Sequence, residues 1–493
     1  MNYAIIRNIL GKIMMLLACL MILPIIICIC YKESLINYLA FIVPMVLLLI
    51  IGRFLNIKKV ESNKILAREG FVIVGLSWII MALFGCIPYI ISGNIPNFFD
   101  AFFETASGFT TTGSSILTGY DHLDHSIMFW RSFAHWIGGM GVLVFILAII
   151  PESNEGSAMH ILRAESPGPQ VGKLVSKMRV TSRILYLIYL VLTVGLTVIL
   201  WLGPDDKMTL FNSLIYSFGT AGTGGFGIDA GCLASYDSST QYIIATFMII
   251  FAINFSMYYL LLIGNVKEIF KNEELRAFFI IVIVSVTFIT FNVFYAFKNA
   301  ANTLSFEESF RYAYFHVAAI ISTTGYATYD FLTWPAASIM ILIFLTIIGA
   351  CAGSTAGGLK ITRLNILAKS MIMKIRSMIS PRKVEVMKTD GKPMTKESIS
   401  AVESYFTVYI LILLICTFLI SFDGFDFATN LTASLTCISN VGPGYTPMIG
   451  PLGDFSKFSW FSKLVMSLEM ITGRLEFFPI LVLFSPKTWR KRL

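Results

Sequence analysis

The sequence predicts an all-α membrane protein with ten transmembrane helices and four re-entrant pore loops. Three observations carry that prediction. The chain of 493 residues is 56% hydrophobic and only 13% charged, too apolar for a soluble domain of that size. Its apolar residues gather into runs close to the roughly 20 residues that cross a ~30 Å hydrocarbon core. Four of the segments between those runs repeat one layout of a short apolar stretch followed by a Thr/Ser/Gly string.

The runs fall in pairs. Residues 13–31 and 35–51 form an N-terminal hairpin within 1–68. The first is too long for a cleaved signal peptide, and a second span follows almost at once. Runs 70–91 and 129–150 flank a first pore repeat, 69–150. Runs 185–202 and 242–263 flank a second, 151–265, which includes the loop before it. Runs 277–297 and 336–349 flank a third, 266–370, and runs 405–420 and 461–484 a fourth, 371–493.

Lys and Arg orient the spans. Lys58, Lys59, Lys64 and Arg68 separate spans two and three, and Arg163, Lys173, Lys177, Arg179 and Arg183 separate four and five. A basic series from Lys360 through Lys369, Lys374, Arg376, Arg382 and Lys383 to Lys396 separates eight and nine, and Lys487, Arg490, Lys491 and Arg492 end the chain. All lie on one side, so that side is cytoplasmic and both termini are inside, as in a bacterial inner membrane. The net charge of +8 is then topology charge, and no nucleic-acid partner is expected. The opposite side carries acids, among them Asp100, Glu104, Asp205, Asp330, Asp423, Asp426 and Asp454. They read either as solvated loop charge or as an outer vestibule that concentrates cations.

Other chemistry is scarce. Cys19, Cys28, Cys30, Cys86, Cys351 and Cys416 lie within spans without paired metal spacing and read as small core residues. The string Asp121-His122-Leu123-Asp124-His125 has ligand types for a metal, but a wet outer loop explains it as well. No catalytic constellation is present, so the chain is expected not to be an enzyme and to hold no tightly bound cofactor.

The four strings are Thr110-Thr111-Thr112-Gly113-Ser114-Ser115, Ala221-Gly222-Thr223-Gly224-Gly225-Phe226, Ser322-Thr323-Thr324-Gly325-Tyr326 and Ser439-Asn440-Val441-Gly442-Pro443-Gly444. With Gly113, Gly225, Gly325 and Gly442 equivalent, they recur about every 100 to 117 residues, a repeated unit. Register selects Gly225 over Gly224: counting back equally from Gly113 and Gly225 reaches Phe99-Asp100-Ala101 and Phe211-Asn212-Ser213.

Irregular backbone at membrane depth persists only where protein buries it or it lines a water-filled cavity. Four strings on one axis would line such a cavity, and their carbonyl oxygens would replace an ion's water shell. Aligning successive carbonyls needs backbone angles open mainly to glycine. The candidate cation filter is therefore Thr111, Thr112, Gly113; Thr223, Gly224, Gly225; Thr323, Thr324, Gly325; and Asn440, Val441, Gly442. The short helix before each string would aim its negative carbonyl end at the ion.

Span eight contains the Gly-rich run Gly349 to Lys360. It lacks the Gly-Lys-Ser/Thr of a nucleotide loop, since Leu359 precedes Lys360 and Ile361 follows it. At roughly 1 kcal/mol per Gly, a continuous helix is disfavoured there. A break under the filter, in the third repeat only, would form a gate of Gly349, Gly353, Ser354, Thr355, Gly357, Gly358 and Lys360, the alternative being close helix packing. Arg474, in Gly473-Arg474-Leu475-Glu476 of span ten, is a costly mid-membrane charge. It reads as a pore barrier below the filter, or as an internal ion pair with Glu476 or Glu469. Gly138-Gly139-Met140-Gly141 in span four reads as a packing face.

Together, the strings at 110–115 and 440–444, the run Gly353 to Lys360 and Gly473-Arg474-Leu475-Glu476 resemble the Trk/Ktr/HKT superfamily of potassium transporters. The likeness covers nearly the whole chain and is nearest to the pore-forming subunits of bacterial Trk systems. It implies potassium uptake through a pseudo-fourfold filter, a homodimer, and gating by a cytoplasmic nucleotide-binding ring of the TrkA type. It also implies that 349–358 is the intramembrane gate loop and that Arg474 is the pore arginine. Glycine in all four strings resembles the potassium-selective members, while the second and fourth strings depart from a uniform pattern at Gly224, Asn440 and Val441. Channel-like passage and ion-coupled symport stay open, as does a sodium-permeable member. An ion-coupled carrier of another solute would instead show inverted halves.

Overall fold

The computed structural model describes residues 1–57, 66–120, 123–141, 178–229, 231–298, 303–382 and 386–489. Lys58, Lys59, Lys64, Asp121, His122, Arg163, Lys173, Lys177, Lys383, Arg490, Lys491, Arg492 and the end of the fourth predicted span lie outside them.

Among the described residues six helices are long and apolar enough to cross a bilayer: Tyr3–Tyr31, Leu35–Asn56, Ala67–Ser92, Val180–Trp201, Glu273–Phe297 and Lys396–Asp423. Their faces are unequal. On Glu273–Phe297, Ile280, Ile283 and Val284 are exposed while Phe278, Val286 and Ile289 are buried, which suits one side in lipid and one in protein. The first two helices form the N-terminal hairpin and cross where glycine meets glycine. A Cβ at Gly11 would stand 2.8 Å from Gly52 O, and one at Gly52 2.8 Å from Gly11 O. Small residues thus let two backbones touch without a hydrophobic drive between them. The hairpin docks on the first repeat: Tyr31 stacks on His125 at 3.9 Å, and Glu33 Oε1 accepts Ser126 N at 2.9 Å.

Four units follow the same course of long helix, short helix, string and second helix. The short helices are Phe98–Phe109, Leu210–Gly222, Phe306–Ile321 and Phe427–Ser439. Each starts on a side-chain cap: Asn97, Thr209, Ser305 with Glu308 in a capping box, and Asp426. The Thr429 side chain and backbone hold the Asp426 carboxyl below its ordinary range, so this cap stays ionised at neutral pH.

The second helices differ from the expectation of continuous spans. His125–Gly139 stops before Gly141, which has φ +75. Ser238–Ala252 turns by 89° into Phe255–Leu262 at Ile253-Asn254, where the Asn254 side chain caps the next helix. Ala336–Ile348 stops at Gly349, with φ +66. Trp460–Arg474 ends before Glu476 and Phe477, both with positive φ, and Phe478–Phe484 resumes beyond. The predicted break in the third repeat is present, but its restriction to that repeat is corrected: all four second helices stop. Arg474 at the last stop donates to Gly138 O and Gly139 O at the first, a link that apolar runs do not reveal.

Candidate functional site

Each short helix ends in the same hydrogen-bonded cap. The N–H groups of Thr112, Gly224, Thr324 and Val441 reach back to Ser107 O, Gly219 O, Ala319 O and Thr436 O at 2.9, 2.8, 2.8 and 3.0 Å. The residue before each of them, Thr111, Thr223, Thr323 or Asn440, is left-handed, with φ between +55 and +58. Glycine or asparagine normally fills that place in a helix-terminating cap. Only the fourth string obeys the preference. The other three hold a β-branched threonine there, at a cost of order 1–3 kcal/mol each. Strain repeated at three matched positions marks a site that demands this backbone path. It also explains the departure at Asn440: asparagine takes the left-handed turn readily.

The strings close into a ring. A Cβ placed on Gly113 would overlap Gly224 O, one on Gly225 would overlap Thr324 O, and one on Gly325 would overlap Val441 O. A Cβ on Gly442 would stand 2.8 Å from Thr112 O, completing the circuit. Each contact joins the glycine of one unit to the carbonyl just before the glycine of the next. The four glycines have φ +84, +84, +77 and +105. All four also line one cavity of about 80 Å³, together with Ser114, Ser115, Thr118 and Asp454. That is room for several waters, each needing at least roughly 10–15 Å³. Side chains brace the strings: Thr110 Oγ1 lies 2.7 Å from Thr112 Oγ1, and Ser322 Oγ 2.7 Å from Thr324 Oγ1. Asn440 Nδ2 donates to Thr112 Oγ1 at 2.9 Å, tying the fourth string to the first.

His135, which the sequence reading passed over, explains the second departure. Its ring fills the space that a side chain at Gly224 would take. Its Nδ1 lies 2.7 Å from Gly108 O, and its Nε2 accepts Phe226 N–H at 3.3 Å. A carbonyl only accepts, so the proton sits on Nδ1. A histidine in a predicted apolar span was the available signal.

The residues from Gly349 to Lys360 form a loop directly against the strings. Gly357 N donates to Thr323 Oγ1 at 2.8 Å, and a Cβ at Gly357 would overlap Ser439 O. Gly349, Gly353 and Gly358 all have positive φ. Gly353 O accepts Phe255 N, Ser354 Oγ donates to Cys351 O at 2.7 Å, and Lys360 N–H returns to Ile348 O at 2.8 Å. Arg474 ties this loop to the first unit. Nη1 donates to Thr355 O at 2.6 Å, and Nη2 donates to Gly138 O and Gly139 O at 2.6 and 2.7 Å.

The carboxylates set beside Arg474 as ion-pair partners are engaged elsewhere. Glu469 Oε1 accepts Ser434 Oγ at 2.5 Å, and Glu476 pairs with Arg363 while standing 4.0 Å from Lys360 Nζ. Gly138 and Gly139 do pack closely, but the reading of a packing face alone is corrected, because their carbonyls receive the guanidinium. The outer acids are corrected too. Glu104 is fully buried against Arg131, Asp205 is buried and accepts Asp237 N at 2.8 Å, and Asp100 pairs with Lys463 at 2.6 Å. Asp454 remains at the cavity. Among the described residues no cluster could hold a metal by side chains; Asp124 precedes a helix and His125 stacks on Tyr31.

Comparison with known proteins bears on this arrangement. Residues 38–491 match the family model TrkH, described as cation transport protein. The chain is 32% identical over 504 residues to the Trk system potassium uptake protein TrkH of Escherichia coli (strain K12), covering 100% of both. It is 30% identical over 499 residues to the Trk system potassium uptake protein TrkH of Halomonas elongata, again covering 100% of both. The crystal structure of the potassium transporter TrkH from Vibrio parahaemolyticus resembles it with a TM-score of 0.87 at 29% identity, covering 99% of this chain and 100% of that one.

Proposed function

The chain belongs to the TrkH family of cation transport proteins, and from that premise we propose that it carries potassium inward across the bacterial inner membrane through the ring of four strings. The observation that carries the reading is the closed circuit of Gly113, Gly225, Gly325 and Gly442, each against a neighbour's carbonyl oxygen. Backbone oxygens stand in for the water a cation sheds, and neutral ligands allow quick release. The capped short helices add the partial negative charge of their carbonyl ends. Both termini lie in the cytoplasm, so the inward path runs down the membrane potential, worth about 2.3 kcal/mol per charge per 100 mV.

The loop from Gly349 to Lys360 is the gate, and Arg474 is its bolt. The protein works as a homodimer, and a cytoplasmic nucleotide-binding subunit of the TrkA type sets the position of the loop. The decisive experiment is ⁸⁶Rb⁺ uptake into liposomes holding the purified full-length protein. Uptake should be competed by K⁺ far better than by Na⁺. Absence of uptake, with and without the cytoplasmic partner, would remove the reading.

The link between gate and ring is open to a finer test. Thr323→Val keeps the branched shape at the left-handed position but removes the acceptor of Gly357 N–H. An unsatisfied buried donor costs about 1–3 kcal/mol, so the closed loop loses that much. Partner-free ⁸⁶Rb⁺ uptake should rise severalfold; uptake at the wild-type rate would mean the bond does not hold the gate.

A further inference from the structure

The residue nine positions before each ring glycine sits on the short helix, where it can reach back to the chain leaving the ring. It is Glu104, Tyr216, His316 and Ala433 in the four units. Tyr216 Oη donates to Cys232 O at 3.1 Å, and His316 Nε2 lies 3.0 Å from Tyr329 O. Ala433 has no polar group, and its neighbour Thr432 accepts Tyr445 N at 3.4 Å instead.

Glu104 has the densest set of partners. Its Oε2 accepts Ile116 N at 3.0 Å, and its two oxygens lie 2.9 and 3.1 Å from Ser115 Oγ. Oε1 also accepts Arg131 Nε at 2.9 Å and Nη2 at 2.7 Å. Both side chains are sealed from solvent, at 0% and 1% exposure. The guanidinium then covers the Phe226 ring at 4.2 Å and the Tyr120 ring at 5.0 Å. Phe226 directly follows Gly225, and Ser115 is two residues past Gly113. One ion pair therefore grips the exits of two neighbouring strings. One turn further along the same helix, His135 holds Phe226 N.

We propose that the Glu104–Arg131 pair sets the ring's preference for potassium: it holds the first and second strings at a fixed spacing and resists their contraction around the smaller sodium ion. The inference rests on reading the ring as the potassium pathway. A charge pair in a medium of low dielectric is stiff, and its members are costly to separate. Neither residue touches the ion; both are positioning residues, acting through Ser115, Ile116 and Phe226.

The test is the ratio of K⁺ to Na⁺ competition against ⁸⁶Rb⁺ uptake by the full-length protein in liposomes. Glu104→Gln keeps an acceptor for Ile116 N but removes the charge, and should lower the ratio at least tenfold while uptake persists. Simple loss of folded protein lowers total uptake and leaves the ratio alone. The double change Glu104→Leu with Arg131→Met strands no buried charge and serves where the single change does not fold; it too should transport without discrimination. Arg131→Lys keeps the charge and gives up the stacking on Phe226, so its ratio should fall between. Lys374→Gln, which breaks the exposed pair with Glu403, should keep the wild-type ratio. A wild-type ratio in any transporting Glu104 variant, or in Arg131→Lys, would overturn the proposal. Failure of the wild type itself to transport would instead remove the reading beneath it.

Discussion

Replacing Gly225 by alanine should abolish potassium flux, lowering ⁸⁶Rb⁺ uptake at least 100-fold, with the protein still present in the membrane. Two costs meet at this residue. Its φ of +84 is one that a side chain resists, at roughly 1 kcal/mol or more. The added methyl would also overlap Thr324 O and stand 3.1 Å from that carbonyl's carbon. Thr324 cannot move aside as a whole, because its N is bonded to Ala319 O and its Oγ1 to Ser322 Oγ. The oxygen must tilt, and the permeating ion loses a ligand. Gly93→Ala separates the two costs. Gly93 has φ +79, but nothing lies within 4 Å of its would-be Cβ. It should transport normally, so that only the methyl inside the ring stops the ion. Uptake by Gly225→Ala above a tenth of wild type would show that the ring is not the path.

The sequence disclosed backbone demands better than tertiary partners. Register alone favours Gly225 over Gly224, and Gly225 is the one with φ +84, because a repeated path imposes the same handedness at the same place. The layout of caps and strings was visible for a like reason: glycine and short polar residues cluster where a helix must stop. The four stops of the second helices were not all visible. In the last unit Gly473 and Pro479 bracket the stop, but nothing in the letters singles out Glu476 and Phe477 as the residues with positive φ. Glu104 lies one turn from Asp100 on a segment that reads as outward; Arg131, Ser115 and Ile116, none of them adjacent to it in sequence, hold it inside. Arg474 stands out in the sequence as a charge within a largely apolar run. Its acceptors were not, since Thr355, Gly138 and Gly139 offer it backbone carbonyls that no side-chain pattern advertises.

Arg474→Ala should raise uptake without the cytoplasmic partner by roughly 30-fold. That figure is for charge repulsion, to which a second role of the side chain would add. At an effective dielectric near 20, a unit positive charge would repel a passing monovalent cation by about 2 kcal/mol from a separation of about 8 Å, which is roughly 30-fold. The side chain is also a tether, holding Thr355 O of the loop to Gly138 O and Gly139 O of the first unit. Two further variants divide the effects. Arg474→Lys keeps the charge, but a compact ammonium on a flexible stem replaces the planar fork that spans two units. Arg474→Gln keeps two donors on one nitrogen and discards the charge. If repulsion dominates, Gln should conduct nearly as well as Ala, and Lys should stay near wild type. If the tether dominates, Lys should conduct nearly as well as Ala. The carbonyl acceptors favour the first outcome: Gly138 O and Gly139 O lie at a helix end and Thr355 O in the loop, so water can satisfy all three once the loop moves. Raised salt should leave most of the difference between Lys and Gln intact, because a partly buried charge is screened less than an exposed one.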